Sequence, residues 1–271
     1  MVEFIKMHGL GNDFVLINKD LLPGNLPISH FAKTISDRHT GLGCDQFIIY
    51  QKQSDSKYLM WIYNQDGSEA GACGNATRCV AKLSYLDSGE TEVDIQVASR
   101  ILPCKILSQE LVRVNMGKVS FEEIWMPNLQ EIWELVKLYN INPRDIICAD
   151  IGNPHFIIIT DNQLSEEDQN LLGSLFEKNP IFPKGVNVNF ANITDGSINL
   201  RVWERGTGIT LACGSGACAT FAAARKLGFV SDKIDIYFAL GKLEMSYSND
   251  EIYMNGPATI VAKGVYNEQN S

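Results

Sequence analysis

Residues 202–218 read VWERGTGITLACGSGAC, and the rest of the chain is organised around this stretch. A β-like run ends in charge at Glu204 and Arg205, a loop rich in glycine follows, and Cys213 opens an alanine-rich segment typical of a buried helix. A cysteine at a helix start lies beside unsatisfied amides and the positive end of the helix dipole, which lower a thiol pKa and attract carboxylates. The stretch alone is compatible with a reactive thiol and with a small packed residue.

The chain repeats its own blocks when one half is laid over the other at a shift of about 140 residues. The blocks correspond in the same order: Gly11-Asn12 with Gly152-Asn153, Phe14 with Phe156, Gln46 with Asn187, Asn64 with Glu204, and Ala72-Cys73-Gly74 with Ala212-Cys213-Gly214. This order predicts an internal duplication with a boundary near Gly117. Each half then carries one helix-starting cysteine, Cys73 or Cys213.

Periodicity predicts helices and strands in both halves. The predicted helices cover 29–38 with Ser29 as N-cap, about three turns that follow 70–75 and end near 87–89, 131–139, 165–178, and 214–226 with Gly228 as a cap. The predicted strands include 4–7, 14–18, 47–50, 57–64, 156–160, 234–239, 242–247 and 258–265. The last of these lies beyond the repeated region and is expected to return to the first half. The predicted domains are therefore 1–117, completed by 258–271, and 118–257.

Composition and charge favour a small-molecule protein over a nucleic-acid or membrane protein. The net charge is −9, with 23 basic against 32 acidic residues and no basic run, which argues against a surface for nucleic acid or anionic lipid. The amino terminus has no signal-peptide pattern, and no apolar run approaches the roughly 18 residues of a membrane span. We therefore expect a cytoplasmic protein.

The seven cysteines are best explained as reduced thiols, because their number is odd and they are scattered through a large chain. The gap from Cys73 to Cys79 exceeds the roughly two to four residues of paired zinc ligands and the gap from Cys213 to Cys218 is at the upper limit of that range, so no metal site is predicted. A disulfide between Cys73 and Cys213 would be an inactive, oxidised state. The remaining cysteines are expected to be packing residues.

The repeated cysteines suit one type of reaction. If the halves pack about a pseudo-twofold axis, Cys73 and Cys213 would face each other across a cleft, one as thiolate and one as thiol. Such a pair could take a proton from one face of a carbon and return another proton to the opposite face. The pair would titrate as a unit, and the helix-start amides would hold a carboxylate and stabilise the charge on the α-carbon. This pattern predicts inversion at an amino-acid α-carbon without a cofactor.

Four further residues are candidates for this site by their positions. His155 adjoins the repeated Gly-Asn turn and has either a site role or a local hydrogen-bonding role. Glu204 and Arg205 end the strand before Cys213, so substrate contact is favoured over a solvated turn. Asn64, the counterpart of Glu204 in the first half, inherits the same expectation.

Six blocks of the chain resemble, in order, the signature blocks of the diaminopimelate epimerases: MHGLGNDF, RHTGLGCDQ, CGNATRC, GNPHF, GVNVNF and VWERGTGITLACGSGACAT. The resemblance implies interconversion of LL- and meso-diaminopimelate without pyridoxal phosphate, for lysine and peptidoglycan synthesis, with Cys73 and Cys213 as the two bases. It implies an α/β fold of the α+β type: two similar domains, each a curved antiparallel sheet around a central helix, with the active site in the cleft. It also implies a homodimer.

The resemblance further assigns roles residue by residue. His155 and Glu204 would tune the cysteine pair. Substrate contacts would come from Asn12, Gln46, Asn64, Gly74, Asn75, Asn153, Asn187, Glu204, Arg205, Gly214 and Ser215. An arginine suits a second carboxylate, and amide oxygens suit an ammonium group. The chain departs from the common pattern at Ala76-Thr77 and at Ile209, which affects loop flexibility and rate more than the reaction itself.

Two alternatives remain open at this point. The chain could be another cofactor-independent racemase on the same scaffold, but the distal set Asn64, Asn153, Asn187 and Arg205 favours diaminopimelate. It could also be a thiol redox or binding protein that uses Cys73 and Cys213 as a switch. That reading predicts a function tied to oxidation and no exchange of an α-proton.

Overall fold

A computed structural model of the chain describes residues 1–71, 73–139, 141–194 and 196–267. The end of the predicted domain segment 258–271, and Ala72 of the repeated block, therefore lie outside the described residues. The chain forms two compact units, Met1–Asn115 with Asn255–Ser271, and Met116–Met254. In the part of the chain described, no helix is long and apolar enough to cross a membrane.

The elements follow one another along the chain in an order that is repeated. The first series is β1 Val2–Gly9, β2 Asn12–Asn18, α1 Ile28–Ser36, β3 Gln46–Ser54, β4 Lys57–Asn64, β5 Glu69–Ala70, α2 Gly74–Ser88, β6 Glu92–Val97, β7 Arg100–Ile106 and β8 Leu111–Gly117. After α3 Leu129–Leu138, the second series is β9 Asp145–Asp150, β10 Pro154–Thr160, α4 Glu166–Glu177, β11 Asn187–Thr194, β12 Ser197–Glu204, β13 Gly208–Thr210, α5 Gly214–Lys226, β14 Lys233–Phe238, β15 Gly241–Ser248 and β16 Glu251–Pro257. The last strand is β17 Thr259–Tyr266.

The first unit contains a mixed sheet in the order β17-β1-β2-β3-β4-β6-β7-β8. The pairs β2/β3 and β4/β6 are parallel, and the other neighbours are antiparallel. Parallel neighbours need a long crossover, which α1 and α2 supply. The register pairs Gln46 with Phe14 on one side and with Asn64 on the other. The amide side chains of Gln46 and Asn64 are therefore neighbours.

The second unit repeats this topology with strands in the order β9-β10-β11-β12-β14-β15. Its parallel pairs, β10/β11 and β12/β14, are again connected through helices, here α4 and α5. The α+β fold expected from the sequence is confirmed. The sheets are mixed, and the parallel pairs follow from the helical crossovers that the expectation of an antiparallel sheet left out.

Each unit has a helix that its strands surround. Helix α2 contacts β1, β3, β4, β6 and β7, and helix α5 contacts β9, β10, β11 and β15. Both helices are buried along most of their length, and α5 consists largely of alanine and other small residues. A helix that is covered on most sides needs no polar face, which explains the small, mostly apolar residues of α5. The first residues of α2 and α5 are held in place by this packing.

The outer helices cover the other sheet faces. Helix α1 packs on β3 and β4 through Phe31, which lies against Phe47 edge to face, with ring centroids 5.5 Å apart. In the second unit, Phe156 on β10 packs against Phe176 on α4, with centroids 4.9 Å apart. Burial of these aromatic pairs on one side and of α2 or α5 on the other fixes which strand residues face the central helix.

One predicted helix start was wrong, since Ser29 is not the N-cap of α1. The helix begins at Ile28 after Pro27, and no side chain caps it. Proline has a φ suited to helix entry and no N–H that needs a partner, so the helix starts before the serine. The Ser29 hydroxyl instead donates to the carbonyl of Gly67 at 2.8 Å. A Cβ on Gly67 would lie 2.3 Å from the Ser29 carbonyl oxygen, so this turn requires glycine.

Candidate active site

Both candidate cysteines are N-cap residues of the surrounded helices. The Cys73 sulfur accepts the amide N–H of Ala76, three residues into α2, at 3.5 Å. The Cys213 sulfur accepts the amide N–H of Gly216 on α5 at 3.4 Å. Both caps have extended backbones, with φ of −151° and −122°. Amides and a helix dipole that point at a sulfur stabilise negative charge there.

The remaining cysteines lie in different surroundings. Burial raises the pKa of Cys79 to about 12 and that of Cys148 to about 12. Burial also raises the pKa of Cys44 and Cys104, and Cys218 is fully buried inside α5. A thiol with a raised pKa forms little thiolate at neutral pH, which disfavours Cys44, Cys79, Cys104 and Cys148 as proton acceptors.

A chain of hydrogen bonds leads from Cys73 to a buried arginine in the first unit. Asn12 Oδ1 lies 3.9 Å from Cys73 Sγ and accepts a hydrogen bond from Asn75 Nδ2 at 3.0 Å. Asn75 Oδ1 accepts from Arg78 Nη2 at 2.7 Å, and Arg78 Nε donates to the carbonyl of Pro257 at 3.1 Å. The Arg78 side chain is fully buried. Two amide side chains therefore connect a buried positive charge to the cysteine.

Two other predicted residues of this unit form a neighbouring pair. Gln46 Nε2 donates to Asn64 Oδ1 at 3.1 Å, and Asn64 Nδ2 donates to Ser68 Oγ at 3.1 Å. The residue before Gln46, Asp45, accepts Asn12 Nδ2 at 3.0 Å through Oδ2. The Gln46–Asn64 pair is thus linked to the hydrogen bonds around Cys73, because Asp45 precedes Gln46 and accepts from Asn12.

In the second unit, Ser215 joins Cys213 to a buried histidine. Ser215 Oγ lies 3.5 Å from Cys213 Sγ, 3.1 Å from His155 Nε2 and 3.2 Å from Asn153 Nδ2. The other ring nitrogen, His155 Nδ1, lies 3.0 Å from Asn189 Oδ1. Burial lowers the pKa of His155 to about 4, so the ring is neutral at neutral pH.

The charged residues at the end of β12 are arranged around the turn that precedes α5. Glu204 Oε1 accepts the hydroxyl of Thr210 at 2.5 Å. The backbone N–H of Arg205 donates to Asn187 Oδ1 at 2.9 Å, and Arg205 Nη1 donates to the carbonyl of Lys184 at 2.7 Å. Arg205 is exposed, so its guanidinium remains accessible to a ligand. A Cβ on Gly185 would lie 2.9 Å from Arg205 Cδ, so the glycine leaves room for this side chain.

The structure adds two residues that the sequence analysis missed. Asn189 lies two residues after the predicted Asn187 on β11. This spacing could have indicated that both side chains point to the same face of the sheet. Arg78 lies within the CGNATRC block but was not singled out, because a charged residue on a helix ordinarily faces water.

The neutral state of His155 predicts an acid-sensitive step in stability. The unfolded histidine has the ordinary pKa of 6.5 and the folded one about 4, so the unfolded chain binds the extra proton between these values. Stability from this residue is complete above pH 6.5 and is lost as the pH falls towards 4. We expect the free energy of unfolding to fall by roughly 2 kcal/mol over this window, and by less in His155→Gln. Urea unfolding at several pH values measures both, with His30→Gln, exposed on α1, as the control. An unchanged profile in His155→Gln would contradict the expectation.

Comparisons with known proteins point to one family. The family model described as diaminopimelate epimerase matches residues 4–122 and 147–261. The diaminopimelate epimerases of Rickettsia bellii and Rickettsia felis are each 51% identical to the chain over 265 residues, covering 98% of the chain and 97% of the relative.

Solved structures share the fold of this chain. A structure described as a predicted epimerase from Pseudomonas aeruginosa matches with a TM-score of 0.75 at 11% identity, covering 97% of this chain and 98% of that one. A probable proline racemase from Agrobacterium radiobacter K84 matches with a TM-score of 0.69 at 14% identity, covering 99% and 94%. At these identities the structural likeness establishes the fold alone.

Proposed function

Because the chain belongs to the diaminopimelate epimerase family, we propose that Cys73 and Cys213 are the two bases with which it epimerises diaminopimelate. The enzyme is an isomerase that converts LL-diaminopimelate to meso-diaminopimelate, a step of lysine biosynthesis. The observation that carries the proposal is the repeated position of the two cysteines. Each is the N-cap of the helix that its own unit surrounds, and each sulfur accepts a helix amide.

The chemistry needs one thiolate and one thiol. The thiolate removes the α-proton, the C–H bond breaks, and its electron pair is delocalised towards the α-carboxylate. The thiol of the other cysteine gives its proton to the opposite face of the carbon, which inverts the centre and leaves a thiolate there. The reverse reaction exchanges the roles of Cys73 and Cys213. Both proton transfers are performed by cysteine side chains, so the proposed reaction needs no pyridoxal phosphate.

The amino ends of α2 and α5 are proposed to hold the carboxylate at the reacting carbon. Backbone N–H groups of Gly74, Asn75, Gly214 and Ser215 are in the first turns of these helices. Amides at a helix start bind anions, and they would stabilise the charge that develops as the α-proton leaves. Binding the substrate carboxylate at these amides would thereby make the α-proton of the substrate more acidic.

The distal amino-acid group of diaminopimelate is proposed to bind the polar side chains around these helix starts. The exposed guanidinium of Arg205 suits a carboxylate, and amide and carboxylate oxygens suit an ammonium group. The proposed contacts are Asn12, Gln46, Asn64, Asn153, Asn187, Glu204 and Arg205. We propose that His155 and Glu204 also tune the protonation of the cysteines. A racemase for a smaller amino acid would not need the arginine.

The proposal is tested by proton exchange in deuterated water. Purified, reduced protein is incubated with LL-diaminopimelate without added cofactor, and deuterium at the α-carbon is followed together with the meso isomer. We expect the inverted product to carry deuterium, because the proton delivered comes from a thiol that has exchanged with solvent. L-proline serves as the matched substrate without a distal group and should not exchange. Absence of exchange from diaminopimelate would reject the function, and exchange from proline would favour another racemase.

Three further features belong to the same proposal. We propose that the enzyme acts in the cytoplasm and that it binds neither nucleic acid nor membrane. We also propose that it is a homodimer, by analogy with the family. Light scattering of the purified protein distinguishes a dimer of this 30.1 kDa chain from a monomer.

A further inference from the structure

The amide of Asn189 has an orientation that its surroundings determine. Asn189 is fully buried on β11, and its Nδ2 donates to the carbonyl of Gly216 at 3.0 Å and to Thr220 Oγ1 at 2.9 Å. A backbone carbonyl only accepts hydrogen bonds, so the amide nitrogen has to face α5. The amide oxygen therefore faces His155. Because that oxygen also only accepts, His155 Nδ1 has to carry the proton of their 3.0 Å hydrogen bond.

The second ring nitrogen then has a determined role as well. His155 is neutral at neutral pH, so a proton on Nδ1 leaves a lone pair on Nε2. Ser215 Oγ, 3.1 Å away, has to donate its only hydroxyl proton to that lone pair. The oxygen lone pairs of Ser215 then accept from Asn153 Nδ2 at 3.2 Å and face the Cys213 sulfur at 3.5 Å.

We propose that Asn189 is a positioning residue that holds His155 in the tautomer with the proton on Nδ1, so that the Ser215 hydroxyl is directed away from Cys213. In this arrangement the Cys213 thiol donates a hydrogen bond to Ser215 Oγ. A Cys213 thiolate would receive no hydrogen bond from the Ser215 hydroxyl. In the opposite tautomer, Nε2–H would donate to Ser215, whose hydroxyl would turn to the sulfur and stabilise the thiolate. Asn189 thus holds Cys213 ready to donate a proton. This effect on catalysis rests on the function proposed above for Cys213.

The tautomer can be measured directly in the unaltered protein. The chain has only four histidines, so nitrogen-15 NMR of labelled, reduced protein can assign the His155 ring at neutral pH without substrate. We expect Nδ1 to give a protonated, pyrrole-type signal and Nε2 an unprotonated, pyridine-type signal. A protonated Nε2 with an unprotonated Nδ1 would overturn the proposal. Since no substrate is present, this result is independent of the enzyme's activity.

Two variants distinguish positioning from support of the fold. Asn189→Leu removes the bond to His155 together with the bonds to α5, whereas Thr220→Val removes one bond to α5 and leaves His155 Nδ1 with its partner. The charged groups that act on His155 are Asp150 and Arg205, and neither is altered. Both variants are made in a Cys73→Ala background, so that Cys213 is the remaining cysteine of the proposed pair.

The readout is the rate of alkylation of Cys213 by iodoacetamide across pH, with the modified residue identified by peptide mapping. Asn189→Leu is expected to lower the apparent pKa of Cys213 by about half to one unit, which raises the rate at neutral pH roughly three- to tenfold. Thr220→Val should alkylate like its parent and retain the parent tautomer. Equal rates and equal tautomers in the two variants would overturn the proposal. If Cys213→Ala retained epimerisation, the proposed role of Cys213 as a base would fail while the tautomer measurement stood.

Discussion

Cys73→Ala and Cys213→Ala are each expected to lose epimerisation by at least about a thousandfold, because each removes one of the two proton-transfer groups. One remaining thiolate can still take a proton from the face it reaches, but no acid is left on the opposite face. The product of that half-reaction can only be the starting isomer with its own α-hydrogen replaced. Inversion and exchange should therefore separate in the single variants.

The two variants should differ in which isomer exchanges. The thiol left in Cys73→Ala should introduce deuterium into one of LL- and meso-diaminopimelate, and the thiol left in Cys213→Ala should introduce it into the other. Each isomer is incubated separately with each variant in deuterated water, and α-deuterium is measured by mass spectrometry and NMR. The doubly substituted chain should exchange neither. Exchange of the same isomer by both variants would contradict action on opposite faces.

Matched controls lie on the same two helices. Cys79→Ala on α2 and Cys218→Ala on α5 remove buried thiols from the interiors of the helices that Cys73 and Cys213 cap. Both should keep epimerisation within about threefold of the unaltered chain, at a modest cost in stability from the small cavity. A loss in either control comparable to that in the Cys73 variant would show that packing of these helices, and not the thiol, limits the rate.

The sequence predicted the positions of the two central helices well, because strong local signals agree there. Gly74 and Gly214 follow a residue that caps, small residues fill the helix, and α2 and α5 begin at these glycines. The duplicated order of blocks also anticipated the repeated order of elements. The weaker elements were missed: β5 and β13 are two and three residues long, which is too short for a periodic pattern.

The hydrogen-bond chains behind the cysteines could not be predicted from the sequence in the same way. Asn189 is separated from His155 by 34 positions and from Thr220 by 31. The parallel pairing of β10 with β11 brings Asn189 to His155, and the packing of α5 on β11 brings it to Thr220. The orientation of an amide depends on partners of this kind, which no local pattern contains. Ser29 illustrates the same limit, since its partner is the carbonyl of Gly67, 38 positions away.

The buried arginine on α2 carries the largest expected effect on stability. Arg78 donates to Asn75 Oδ1 and to the carbonyl of Pro257, and a Cβ on Gly9 would lie 2.8 Å from its Nη2, so the chain leaves space for the guanidinium. Removing it leaves the buried Asn75 oxygen and the partly buried Pro257 carbonyl without these donors, and an unsatisfied buried acceptor costs about 1 to 3 kcal/mol. The buried charge of the Arg78 guanidinium also interacts with polar groups beyond its direct partners, because its field is weakly screened inside the protein.

Arg78→Met is therefore expected to lower the free energy of unfolding by about 3 kcal/mol and to lower kcat/KM at least about tenfold. The loss of activity follows from the chain of bonds: without Arg78, Asn75 is free to rotate, and Asn12, 3.9 Å from the Cys73 sulfur, loses its fixed partner. Urea unfolding and the deuterium assay measure the two effects. Lys82→Met is the matched control, since Lys82 lies one turn further along α2 and donates to the adjacent carbonyl of Ala258 at 2.7 Å. This control should lose about 1 kcal/mol and keep its activity, because nothing in the Cys73 chain depends on it. Equal activity in the two variants would mean that Arg78 stabilises the fold without positioning Asn75 and Asn12.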